Sequence, residues 1–208
     1  MSDLTSDAER SRRAKVALRN RLLAARRSKT PESLAAASTA VLETLQSLVR
    51  RESPTVTAAY VPVGSEPGGP NLPEALRTAL PSTSSLLLPV LLPDGDLDWA
   101  PYDGPASLRR ASRGLSEPIG PRLGPAAVTG ATLVVVPALA VDRSGVRMGR
   151  GGGSYDRALA RVPPTALTVA LLPDGELVDT VPAEPHDRRV RAVITPSEGL
   201  SAVADWTK

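Results

Sequence analysis

A chain of 208 residues, 41% hydrophobic and 23% charged, is long enough to bury one substantial core and lies near the upper end for a single compact domain. It contains no cysteine, which excludes disulfides, thiolate metal sites and a thiol nucleophile, and its single histidine, His186, excludes a zinc site built on two or three histidines. The net charge of +3 is small and an aromatic content of 2% with no phenylalanine leaves almost no stacking surface, so a nucleic-acid partner is not expected.

Met1 to Arg13 is polar and charged, with no apolar core ahead of a small-residue cleavage site, and so does not read as a secretory signal. No apolar run approaches the about 20 residues needed to span a bilayer. A soluble, cytoplasmic protein without a membrane partner is expected. From Leu4 to about Arg27 the chain is rich in Ala, Leu, Arg and Lys, with Val16, Leu18, Leu22 and Leu23 at near-helical spacing, which predicts a long N-terminal helix with a basic, solvated face. Thr30-Pro31-Glu32-Ser33 carries a helix start, Thr30 as cap and Pro31 in the first turn, opening a second helix over Pro31 to Arg51.

Beyond Pro54 the pattern changes to short apolar runs separated by Gly and Pro. Strands are expected at Thr55 to Val61, Ser85 to Leu91, Thr132 to Val136, Ala166 to Leu171 and Val190 to Thr195, with helices at Asn71 to Leu80 and Ser154 to Arg161. Apolarity along these strands is continuous rather than alternating, which predicts a mostly parallel sheet covered by helices on both faces, an α/β domain spanning 1–208. Ligands of such folds sit beyond the carboxyl ends of the strands. Pro101 to Pro125 has many Gly, Pro and Arg residues and no period, and is expected to be a long loop.

The most informative stretch is Val134 to Leu159. An apolar strand ends at Pro137, and Gly149-Arg150-Gly151-Gly152-Gly153 stands immediately before a helical pattern. Glycines let successive N–H groups converge on an anion, the following helix turns the positive end of its dipole to the same place, and Arg147 and Arg150 add forked donors suited to phosphate oxygens. The loop is neither a P-loop, which needs Lys-Ser/Thr after its last glycine, nor a dinucleotide fingerprint, which needs a glycine or alanine where Ser154 stands. A flexible surface turn is the plainer alternative. Asp156 and Asp187 are candidate Mg²⁺ ligands, since magnesium takes one or two protein carboxylates and completes its shell with water and phosphate. Asp187 is the stronger ligand candidate than His186 is a base.

These residues resemble the 5-formyltetrahydrofolate cyclo-ligase family. The resemblance runs through Lys15-Val-Ala-Leu-Arg19, Tyr60 to Glu66, Leu88-Pro89-Val90, Glu117-Pro118, Asp142 to Asp156 and His186-Asp187, in the family's order over nearly the whole chain. It implies a Rossmann-like α/β domain in which ATP and folate meet at one cleft. By the resemblance Lys15 and Arg19 reach the ATP phosphates, and Arg147, Met148, Gly149, Arg150, Gly151, Gly152, Gly153, Ser154 and Tyr155 wrap the nucleotide. Val61, Glu66 and the stretch Arg150 to Ser154 contact the folate, Arg150 and Tyr155 act in catalysis, and Asp156 and Asp187 hold magnesium. The implied cofactors are ATP and Mg²⁺, the implied substrate is 5-formyltetrahydrofolate, and the protein is expected to act as a monomer. Ser154 departs from the family pattern, which has a tyrosine there, and Ala140-Val141 replaces an aromatic before Asp142. A relative acting on another substrate, or a basic nucleic-acid module using the first helix, are the competing expectations.

Overall fold

The computed structural model describes residues 2–203; position 1 and positions 204–208 of the expected 1–208 domain lie outside the described residues. The chain begins with α1 (Ser2–Arg27), α2 (Pro31–Glu52), β1 (Val56–Ala58), α3 (Leu72–Ala79), β2 (Ser85–Leu91), β3 (Leu97–Pro101), β4 (Leu108–Arg110) and β5 (Ser116–Pro118). It continues with β6 (Leu133–Pro137), β7 (Ala140–Asp142), β8 (Arg147–Met148), α4 (Ser154–Arg161), β9 (Leu167–Leu171), β10 (Leu177–Val178), β11 (Ala192–Thr195) and β12 (Gly199–Ala202).

The main sheet has seven strands in the order β12-β11-β9-β6-β1-β2-β3. The inner strands β11, β9, β6, β1 and β2 are parallel, and they are the apolar runs identified in the sequence. Their side chains alternate between two covered faces. Leu133, Val135, Leu167, Val169 and Ile194 pack beneath α2 and α3, whereas Val134, Val136, Ala170 and Val193 meet Ala158 and Leu159 of α4. With no solvent-facing side, the strands have no reason to alternate polar with apolar residues.

The edge strands were not legible in the sequence. β3 carries Asp96 and Asp98 around its start and β12 reads Gly-Leu-Ser-Ala; each pairs antiparallel on one side only, and neither needs a fully apolar sequence. The segment expected to be a loop over Pro101 to Pro125 contains β4 and β5, paired antiparallel from Leu108↔Pro118 to Arg110↔Ser116. Strands only three residues long, β4 mostly exposed and β5 with Glu117 and Pro118 buried, leave no periodic trace.

α2 forms as expected. Thr30 Oγ1 accepts from Ser33 N–H at 3.2 Å, Pro31 sits in the first turn, and Val41, Leu45, Leu48 and Val49 make the buried stripe. α1 differs from expectation. Val16 is 49% exposed, while Lys15 and Arg26 are buried at 7% and 1%. The physical reason is where α1 lies: it crosses the small sheet β10-β7-β8, and apart from Leu22 and its neighbours its inward partners are carboxylates and carbonyls. No helix among the described residues is long and apolar enough to cross a membrane.

Candidate active site

A cavity of about 360 Å³ opens beyond the carboxyl ends of β1, β2 and β6, where Tyr60, Val61, Pro89, Leu91, Pro137 and Ala138 line it. This is where a parallel sheet leaves room for ligands. All the expected site residues line the same cavity: Lys15 and Arg19 from α1, Val61 and Glu66 from the segment after β1, Arg147 to Asp156, and Asp187.

Most charges in the cavity are paired. Lys15 Nζ donates to Glu184 Oε2 at 2.9 Å and to Asp187 Oδ2 at 2.6 Å. Arg147 Nη2 donates to Asp156 Oδ1 at 2.8 Å, and Arg150 Nε lies 3.1 Å from Glu66 Oε1. Glu66 also accepts from Val63 N–H at 2.9 Å, which fixes its carboxylate at the cavity wall. Among the described residues Arg19 pairs with no carboxylate there; its Nε donates to the Gly149 carbonyl at 3.3 Å. The hydrogen bond from Lys15 holds the Glu184 carboxyl below its ordinary range, with smaller help from Arg12.

The Gly-rich loop is shaped by two requirements. Gly151 has φ +100°, a conformation that L side chains rarely adopt, and a Cβ at Gly149 would stand 2.8 Å from Arg147 Nη1. The amide groups of Gly151, Gly152 and Gly153 donate no hydrogen bond among the described residues. Together with the N-terminus of α4 they leave a set of donors available to an anion. Tyr155 sits behind the loop, against both faces of the core. Burial and then the Glu66 carboxylate push its phenol up, so at neutral pH it is an uncharged hydroxyl, fit to donate a hydrogen bond rather than to act as a base.

Residues 11–196 match the model of the 5-formyltetrahydrofolate cyclo-ligase family. The chain belongs to that family. It is 43% identical over 198 residues to the 5-formyltetrahydrofolate cyclo-ligase of Mycolicibacterium smegmatis, covering 93% of this chain and 99% of the relative. The solved structure of 5,10-methenyltetrahydrofolate synthetase from Aquifex aeolicus superposes with a TM-score of 0.76 at 27% identity, covering 93% of this chain and 95% of that one. The synthetase from Mycoplasma pneumoniae shares the fold, with a TM-score of 0.69 at 16% identity over 88% of this chain and 99% of that one.

Within this cyclo-ligase family member, Ser154 takes a local role of its own: its Oγ donates to the Gly95 carbonyl at 2.5 Å, and Arg157 Nη2 donates to the same oxygen at 2.5 Å. The loop is thereby tied to the β2–β3 turn. Asp142 does not face the cavity but organises the approach to it. Burial raises its pKa, yet hydrogen bonds from the Ser144 hydroxyl and from the Val181, Val146 and Ser144 N–H groups outweigh that and hold it low.

Sequence reasoning missed Glu184 and Arg26, both of which line the cavity. Glu184 stands three residues before Asp187, and its backbone N–H donates to Asp187 Oδ2 at 2.6 Å, a turn that the Pro-rich context could have suggested. Ligand atoms of Glu184, His186 and Asp187 lie within 4.8 Å of one another, while Asp156 is outside that group. His186 itself is 67% exposed in its side chain. Arg26 follows Lys15, Arg19 and Leu22 at helical spacing, a stripe that a search for apolar residues alone passes over.

Proposed function

We propose that the protein is a cytoplasmic, monomeric 5-formyltetrahydrofolate cyclo-ligase, converting 5-formyltetrahydrofolate and ATP into 5,10-methenyltetrahydrofolate, ADP and phosphate in a magnesium-dependent reaction. The observation that carries this reading is convergence: Lys15, Glu66, Arg147, Asp156 and Asp187 come from distant parts of the chain to one cavity beside a loop of unpaired amides. Family membership supplies the reaction class.

The chemistry sets the requirements. A formamide carbonyl is a poor electrophile, and its oxygen must become a leaving group before N10 can close the ring. Transfer of the γ-phosphoryl group to the formyl oxygen releases ADP; N10 then attacks the formyl carbon, loses its proton, and the oxygen departs with phosphate. Such a transfer is promoted by positioning and charge stabilisation and requires no protein nucleophile, consistent with a chain that has no cysteine.

Each group then has a task. Lys15, Arg19 and Arg147 hold phosphate oxygens, with the amides of Gly151 to Gly153 around them. Lys15 and Arg147 are engaged by carboxylates, so phosphate oxygens of a nucleotide compete with those contacts. Glu66 receives the pterin's N–H groups and Val61 lines the apolar wall beside it. Arg150, half exposed and next to Glu66, lies between the two ligands and can stabilise charge on the transferred group. Tyr155 donates its hydroxyl hydrogen without changing charge.

The acidic donors facing the cavity are hard carboxylate oxygens, which suit magnesium, and Asp156 and Asp187 are the residues that would hold it. When bound, the ion neutralises negative charge on the phosphates.

The direct test is formation of the methenyl product from 5-formyltetrahydrofolate, followed by its near-ultraviolet absorbance with and without ATP and magnesium. Product that needs both is expected. A folded protein that binds MgATP but leaves this substrate unchanged would assign it to another substrate. Asp156→Asn is expected to reduce turnover while leaving the fold intact, and full activity in that variant would remove Asp156 from the site.

A further inference from the structure

The residues of α1 that face the body of the protein form one stripe. Lys15, Arg19, Leu22 and Arg26 follow at steps of four, three and four residues, which places them on a common helical face. At 1.5 Å per residue, Lys15 and Arg26 stand roughly 16 Å apart along the axis. Leu22, with Leu18 and Leu23 beside it, supplies the apolar contact between them. Apolar packing is non-directional, and so small a patch leaves the helix free to rotate or slide.

Arg26 supplies direction. Its Nε donates to Glu176 Oε1 at 2.8 Å and its Nη2 to Glu176 Oε2 at 2.5 Å, while Nη2 also donates to the Ala138 carbonyl at 2.6 Å. Ala138 follows β6 at the cavity wall, and Glu176 lies in the turn before β10, its carbonyl accepting from Val141 N–H at 3.2 Å. One guanidinium thus joins α1 to the cavity-wall segment after β6 and to the turn before β10. Toward its other end, α1 is held by Lys15 and Arg12 on Glu184 and by Lys15 on Asp187. These include the contacts that a triphosphate exchanges. Arg26 holds the helix through a contact that the exchange leaves alone.

We propose that the Arg26–Glu176 pair is a positioning element for the nucleotide half of the site, fixing the rotation and axial register of α1 so that Lys15 and Arg19 face the Gly-rich loop. The proposal rests on the reading of Lys15 and Arg19 as phosphate-holding residues. Stability alone does not account for the pair. Both side chains are almost wholly buried, Arg26 Nη1 has no hydrogen-bond partner among the described residues, and burial pushes the Glu176 carboxyl up despite the arginine. An apolar pair of similar volume stabilises a core as well as a buried ion pair does, but it does not specify register.

That difference provides the test. The double variant Arg26→Met/Glu176→Leu replaces the pair by apolar side chains, and three quantities are measured: thermal midpoint, Kd for MgATP, and Kd for 5-formyltetrahydrofolate, the last two by calorimetry. The midpoint is expected within a few degrees of the parent, because neither charge is left unpaired. The MgATP Kd is expected to rise about tenfold with the folate Kd nearly unchanged, since Lys15 and Arg19 serve only the nucleotide. An unchanged MgATP Kd, or both Kd values rising together with a lowered midpoint, would overturn the proposal. Should the double variant fail to fold, Arg26→Lys retains the charge but loses the fork; weaker MgATP binding with normal folate binding is expected, and normal MgATP binding overturns the proposal. If the parent protein itself binds no MgATP, the functional reading fails first, and the positioning role with it.

Discussion

The sheet and the cavity rim are held together by different physics. At the sheet, β6, β9 and β11 have buried side chains on both faces, in contact with α2 and α3 on one side and α4 on the other. At the rim, α1 and the Gly-rich loop are held by Lys15, Arg26, Arg147 and Arg150 on carboxylates and carbonyls. Apolar burial fixes a fold but tolerates small shifts, whereas a forked ion pair fixes an angle. Where several cations must be set around an anionic ligand, the second kind of contact is the one that fixes geometry.

The comparison predicts that damage to the two regions separates stability from activity. The largest effect is expected from Leu133→Ala at the start of β6, 1% exposed and at the opposite end of that strand from the cavity. Deleting those methyl groups should cost about 2–5 kcal/mol in denaturant unfolding, with turnover per folded molecule preserved. Loss of turnover in molecules still folded would show that the core and the site are not separable in this way.

The same division explains what was legible in the sequence. The parallel strands could be found because a strand covered on both faces must be apolar along its whole length, and Val134 to Val136 or Ala192 to Ile194 satisfy that by themselves. The loop was legible because glycine is needed at Gly149 and Gly151 for reasons of space and φ. The roles of Arg26 and Glu184 were not. An arginine on a basic helix looks solvated until its partner is known, and the partner of Arg26 lies 150 positions away. The edge strands escaped for a related reason: pairing on one side requires backbone hydrogen bonds, which leave no mark on side-chain composition.

A smaller and cleaner effect is expected at Arg19. Among the described residues it contacts the Gly149 carbonyl and no carboxylate, so Arg19→Met leaves no buried charge unpaired. MgATP binding should weaken about tenfold, read by calorimetry, with stability changed by no more than about 0.5 kcal/mol. A drop in stability comparable to that of the core variant would mean that this part of the rim supports the fold after all.

The smallest effect concerns pH, and it sets one ion pair at the rim against another. Arg161 forks onto Asp96 at 2.9 and 2.6 Å and holds that carboxyl below its usual range, countered by burial and aided by the Leu97 N–H. Because the folded pKa is the lower one, the stability from Asp96 is present above its unfolded pKa and is lost as pH falls through the folded value. Glu176 has the opposite sign: burial raises its pKa, so its contribution is present below the unfolded value and is lost as pH rises through the folded one. Asp96→Asn should therefore lower the urea midpoint relative to the parent near pH 7, and the gap should close as pH falls below the ordinary carboxylate range and through the lowered folded value, where the parent's carboxyl also takes up a proton. The gap should be modest, since Arg161 is one-third exposed and water screens the pair. A gap that stays constant through the acid range would mean that Asp96 acts by packing or by its hydrogen bonds in the neutral form, and that the tie between α4 and the β2–β3 turn does not depend on charge.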